Sequence, residues 1–109
     1  MDYWEVERLA QQSTEAAGML RALANQQRLL ILCHLSTADE MSVSTLHGRM
    51  LLSQSALSQH LARLRKEGLV AYRREAQTLF YRVADERALR LLSVLHELYC
   101  PELAAERES

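Results

Sequence analysis

The chain has 109 residues, of which 49% are hydrophobic, 25% are charged and one is proline, with a formal net charge of −1. That is the composition of one soluble globular domain with one core, and it excludes a two-domain enzyme, a disulfide-built scaffold and a membrane-spanning chain. The acidic start Met1-Asp2-Tyr3-Trp4-Glu5 lacks a secretory signal pattern, so a cytoplasmic protein is expected.

The first predicted element is a helix carrying Val6, Leu9, Ser13, Ala16, Leu20 and Leu23 at alternating steps of three and four. This narrow stripe, rich in small residues, suits close packing across a dimer. Asn25 is placed to cap a second helix over residues 26–35, apolar on nearly every side through Leu29, Leu30, Ile31, Leu32, Cys33 and Leu35, and hence buried. Ser42 can cap a short third helix with Val43, Leu46 and Met50 inward.

The fourth helix carries most of the functional signal. Ser53 reads as its N-cap, Leu52 and Leu57 as a hydrophobic staple, and Gly68 as its C-terminal stop. At about 100° per residue, Leu57, Leu61 and Leu64 share one face and Gln54, Ser55, Ser58, Gln59 and Ala62 the other. The outer face is small and polar, without long acids to repel phosphate. Serine and glutamine can hydrogen-bond base edges, while Arg63, Arg65 and Lys66 follow where they can reach the flanking backbone. His60, at the edge of the apolar face, reads as a packed histidine.

After Gly68 the period changes to two: Val70 and Tyr72, then Leu79, Tyr81 and Val83, predict a β-hairpin whose arm carries Arg73, Arg74 and Gln77. Residues 53–83 hold six basic and two acidic side chains, a local charge of +4 against −5 for the remainder. A helix followed by a basic hairpin is the winged arrangement, in which the helix enters the major groove and the hairpin meets the adjacent backbone. Asp85 can cap a last helix with Ala88, Leu91 or Leu92, Leu95 and Leu98 as its inner stripe. The expected fold is mainly α with a β-hairpin: one winged helix-turn-helix domain over residues 1–109, about five helices plus a two-stranded wing, dimeric through its N- and C-terminal helices, with a flexible tail after about residue 101. No phosphate loop, paired catalytic carboxylates or Ser-His-Asp spacing points to an enzyme.

The run Leu52-Ser53-Gln54-Ser55-Ala56-Leu57-Ser58-Gln59-His60-Leu61, with Leu64-Arg65, Gly68-Leu69-Val70, Arg73-Arg74-Glu75 and Tyr81, closely resembles the ArsR/SmtB family of bacterial winged-helix regulators over about residues 15–100. The resemblance implies a homodimer on double-stranded DNA, at an imperfect inverted repeat in a promoter, with affinity set by an effector. DNA contacts then fall to Ser53, Gln54, Ser55, Ser58, Gln59, Arg63, Arg65, Arg73, Arg74 and Gln77. Many members bind metal through a Cys-x-Cys motif at the third helix; here Ser42 and Ser44 stand in its place, and serine hydroxyls are poor ligands for soft metals. Asp85, Glu86, His96 and Glu97 do not match the full spacing of the family's other site, so neither metal nor cofactor is expected.

Two cysteines remain. Read alone, a pair in a cytosolic chain is either inert filler or a redox device. Cys33 in the second helix and Cys100 ending the last one are similar in placement to the branch that includes BigR, YgaV, SqrR and HlyU, which responds to persulfides, polysulfides or other thiol oxidants. This resemblance implies a switch in which Cys33 and Cys100 become bridged. The alternatives are a metal-responsive repressor with a non-cysteine site and an anti-silencing activator with inert cysteines.

Overall fold

The computed structural model describes residues 2–100; the tail expected to be flexible lies outside them. Five helices and three short strands follow one another as α1 (Tyr3–Leu23), α2 (Gln26–Ala38), β1 (Met41–Ser42), α3 (Val43–Gly48), α4 (Gln54–Lys66), β2 (Val70–Glu75), β3 (Thr78–Val83) and α5 (Glu86–Tyr99). This is the winged helix-turn-helix arrangement, with α3 and α4 as the helix pair.

Local chemistry sets the boundaries. The Asp2 carboxylate accepts the Glu5 N–H at 3.0 Å to start α1. The Asn25 amide oxygen accepts from Gln27 and Arg28 to start α2. Arg28 itself is buried, and its Nε–H and Nη2–H donate to the carbonyls of Ala22 and Arg21 at 2.8 and 3.2 Å. It satisfies the open carbonyl end of α1 and fixes the angle between the first two helices. Ser42 caps α3 through Thr45, and Ser53 caps α4 through Ala56.

Helix α4 ends in a Schellman motif. Leu69 N–H donates to the Leu64 carbonyl at 2.9 Å and Gly68 N–H to the Arg65 carbonyl at 3.0 Å. Gly68 sits at φ 77, a conformation that costs glycine no Cβ clash. The chain then turns into β2, which pairs antiparallel with β3 from Val70↔Val83 to Glu75↔Thr78, closed by the two-residue turn Ala76-Gln77.

One core joins these elements. Ile31, Leu32 and Leu35 of α2 lie at its centre with Leu46, Leu57, Leu64, Leu69 and Leu92, all fully buried. Two sequence expectations change. The wing is part of a three-stranded sheet ordered β1-β3-β2, because Met41 and Ser42 pair with Tyr81 and Phe80. In α5 the inward line is Ala88, Leu92 and His96, with Leu95 half-buried, while Leu91 and Leu98 are exposed. Steps of four along a 3.6-residue repeat rotate the buried line away from Leu98. Val6, Leu9 and Leu20 of α1 are exposed as well.

Candidate DNA-binding face and thiol pair

Helix α4 buries Leu57, Leu61 and Leu64 and leaves Gln54, Ser55, Ser58, Gln59 and Ala62 exposed, as the periodicity predicts. Gln54, Ser55, Ser58 and Gln59 make no side-chain hydrogen bond among the described residues. Ser53 differs, because its hydroxyl is engaged by the helix end. Between α3 and α4, His47 Nε2–H donates to the Leu52 carbonyl at 3.0 Å and locks the turn. Gln77 on the wing turn and Gln54 on α4 border one groove, whose other walls come from Val43, Ser44, His47, Thr78 and Leu79. The start of α4 and the wing tip therefore border the same groove.

The cations divide into held and unheld. Arg63 pairs with Glu67 at 3.3 Å, one helical turn on. The Arg65 guanidinium lies 5.1 Å from the centre of the Tyr72 ring, which in turn packs against Tyr81 at 5.4 Å. This stack joins the last turn of α4 to the sheet. Burial pushes the Tyr81 hydroxyl above its ordinary pKa. Arg73 is gripped by Glu40 and Glu75 and lies over Phe80. Arg74, Arg82 and Lys66 make no ion pair among the described residues. Sequence reading missed Glu40, 33 residues before its partner, and Tyr72 as a platform for Arg65. No local pattern signals the first; the i, i+7 spacing of Arg65 and Tyr72 spans a helix end and hides the second.

Cys33 and Cys100 are free thiols, each half-buried. Cys100 directly follows α5 and caps it, its N–H donating to the His96 carbonyl at 2.8 Å. Burial pushes the Cys33 thiol above its ordinary pKa, and charge on Cys100 pushes it further the same way. The two thiols come from α2 and from the end of α5, helices that pack against each other. His34, next to Cys33, is held below its ordinary pKa by burial and by Arg49, so it is a neutral neighbour rather than an activating cation. Ser42 is spent as a helix cap and Ser44 is exposed. Among the described residues no three His, Cys, Asp or Glu side chains converge as a metal site, and no helix is long and apolar enough to cross a membrane.

Residues 25–72, from the cap of α2 to the first half of β2, match the bacterial regulatory protein, arsR family. The chain is 47% identical over 95 residues to the transcriptional activator HlyU of Vibrio cholerae, covering 87% of each sequence. It is 39% identical over 92 residues to the biofilm growth-associated repressor of Agrobacterium fabrum, covering 84% of this chain and 78% of that one. Among solved structures, reduced HlyU from Vibrio cholerae aligns with a TM-score of 0.81 at 48% identity, covering 86% of this chain and 98% of that one. The homodimeric winged helix-turn-helix DNA-binding domain of Mb0332 from Mycobacterium bovis aligns at 0.73 with 31% identity, covering 88% of each. On fold, helix-plus-wing sequence and similarity over more than four-fifths of its length, this chain belongs to the ArsR family of bacterial regulatory proteins.

Proposed function

We propose that the protein is a homodimeric, DNA-binding transcriptional regulator whose affinity is set by the thiol state of Cys33 and Cys100. Helix α4 enters the major groove and reads bases with Gln54, Ser55, Ser58 and Gln59. Ser53, Arg63, Arg65, Arg74 and Gln77 meet the flanking backbone. Two-fold symmetry places two such helices about 34 Å apart on an inverted repeat. The relatives named above support the DNA-binding and dimeric parts: one is a homodimeric DNA-binding domain, and others are an activator and a repressor.

One observation carries the thiol part. The two cysteines are free and half-buried, one on α2 and one at the end of α5, and these helices pack against each other. The Cys100 thiolate attacks a sulfur of a polysulfide and becomes a persulfide, releasing the shortened polysulfide. The Cys33 thiolate then attacks Sγ of Cys100 and expels hydrosulfide. The protein loses two protons and two electrons to the polysulfide and gains a disulfide joining α2 to α5. A direct bridge needs Cα atoms within about 7 Å, and retained sulfur atoms relax that limit. Since α5 presents an apolar face for pairing with a second copy, tethering it tilts one recognition helix against the other.

The test is intact mass spectrometry of the reduced protein before and after polysulfide, with DNA affinity measured on the same samples. The expected result is a linked Cys33–Cys100 peptide together with a tenfold or larger affinity change, equivalent to about 1.4 kcal/mol of coupling, absent in Cys33→Ser and Cys100→Ser. Unmodified cysteines, or a bridge without any affinity change, would leave a DNA-binding regulator lacking this switch.

A further inference from the structure

Arg73 and Arg74 are adjacent, exposed and cationic, and both read as phosphate contacts from sequence alone. The strand separates them. Successive residues point to opposite faces, and the register sets Arg74 opposite Leu79 and Arg73 opposite Phe80. Arg74 thus shares the face of Tyr72 and Tyr81, where Arg65 of α4 stacks. Arg73 lies on the reverse face, its guanidinium 4.5 Å from the Phe80 ring centre. There Nε–H and Nη2–H donate to the two carboxylate oxygens of Glu40 at 2.8 Å each, and Nη1–H donates to Glu75 at 2.8 Å.

The position of this contact matters. Strand β1 pairs with β3 only through Met41 and Ser42, and Ser42 lies opposite Phe80. Beyond that point residues 74–79 form a two-stranded arm with no third strand, and a lone ribbon is marginally stable. Arg73 stands at the root of this arm. It reaches from β2 across β3 to Glu40, the residue that leads into β1 from the end of α2. Two carboxylates compensate its charge, so a phosphate approaching Arg73 would compete with both. Arg74 carries no such compensation.

We propose that Arg73 is a positioning residue rather than a phosphate contact. It straps the wing to the α2–β1 connection through Glu40, and phosphate contact on the wing falls to Arg74. The proposal rests on the DNA-binding reading above. An exposed ion pair adds little to global stability, so the effect appears in the orientation of the wing.

The two roles of Arg73 predict opposite signs for Glu40→Ala. If Arg73 touched phosphate, removing Glu40 would release a cation and delete a nearby negative charge. Binding would tighten and its salt dependence would steepen. If Arg73 is a strap, binding weakens, by about fivefold, with the salt slope unchanged. The measurement is fluorescence anisotropy across a salt series, using a labelled duplex that the wild-type protein selects from a random-sequence pool. The reversed pair E40R/R73E recovers most of the affinity that R73E loses. Arg74→Ala lowers affinity and reduces the salt slope by about one per protomer. Thermal midpoints of all variants check folding. Equal or tighter binding by Glu40→Ala overturns the strap, as does a salt slope for Arg73→Ala reduced as in Arg74→Ala. If the wild-type protein selects no duplex, the DNA-binding reading fails and the strap fails with it. If it selects one and Glu40→Ala binds it no more weakly, the strap alone fails.

Discussion

Cys33 bears two influences of the same sign. Burial removes solvent from its thiolate, and charge on Cys100 repels it. The protonated thiol is neutral, so both favour the protonated form and raise the pKa. At neutral pH Cys33 is therefore a poorer nucleophile than an ordinary cysteine. Its alkylation by iodoacetamide is expected to run slower than that of a free thiol and to keep rising with pH past the ordinary thiol midpoint. In Cys100→Ser the profile moves partway back toward lower pH, since burial, the larger cause, remains. Site-resolved mass spectrometry against pH measures both, and a Cys33 profile matching free cysteine would remove the physical basis for assigning it the second attack. At this scale the sequence was informative about identity and silent about partners. That Cys33 sits on a helix apolar nearly all round follows from Leu29, Leu30, Ile31, Leu32 and Leu35. That Arg73 meets Glu40 does not follow from any local pattern, because the contact is made by a sheet that joins residues 33 positions apart.

Helix α4 shows the opposite case. Its start, its two faces and its stop are written in consecutive residues, and each has a local cause. Ser53 supplies an oxygen to the Ala56 N–H at 3.1 Å, Leu57 enters the core, and Gly68 takes the left-handed turn. Ser53→Ala is expected to cost about 1 kcal/mol of stability, and Leu57→Ala about 2–5 kcal/mol, both read from urea unfolding. Gln59→Ala, on the outer face, should leave the unfolding midpoint unchanged and flatten discrimination between duplex sequences. Equal destabilisation by all three would contradict the division of this helix into a packing face and a reading face. Strand β1 was missed for the converse reason: two residues carry no period, and their partners lie in β3, about forty positions on. Sequence periodicity leaves the inner line of α5 open between Leu91 and Leu92 and wrongly ends it on Leu98, because Leu91, Leu92, Leu95 and Leu98 offer two overlapping stripes. Only contact with α2 and β3 selects the one through Leu92 and His96.

At the scale of the whole molecule, one chain leaves two apolar stripes unburied. Val6, Leu9 and Leu20 lie along α1, and Leu91, Val94, Leu98 and Tyr99 along α5. Between α1 and α5 runs a groove bordered by Ala16, Met19, Leu20 and Leu91. Patches of this kind on a small domain mark a contact surface, and a two-fold pair of helices would cover both. The described residues extend over 52 × 32 × 24 Å. Helix α1 has 21 residues and therefore spans about 31 Å, but only Ala22 and Leu23 near its end are buried. Its first three turns are exposed throughout, and an isolated helical segment of that length is marginal in water. Order in the front of α1 should therefore be borrowed from a second copy. Trypsin then becomes a gauge of association: cleavage after Arg8 should be fast in dilute protein, slow as concentration rises, and slow at all concentrations only if α1 holds its shape alone.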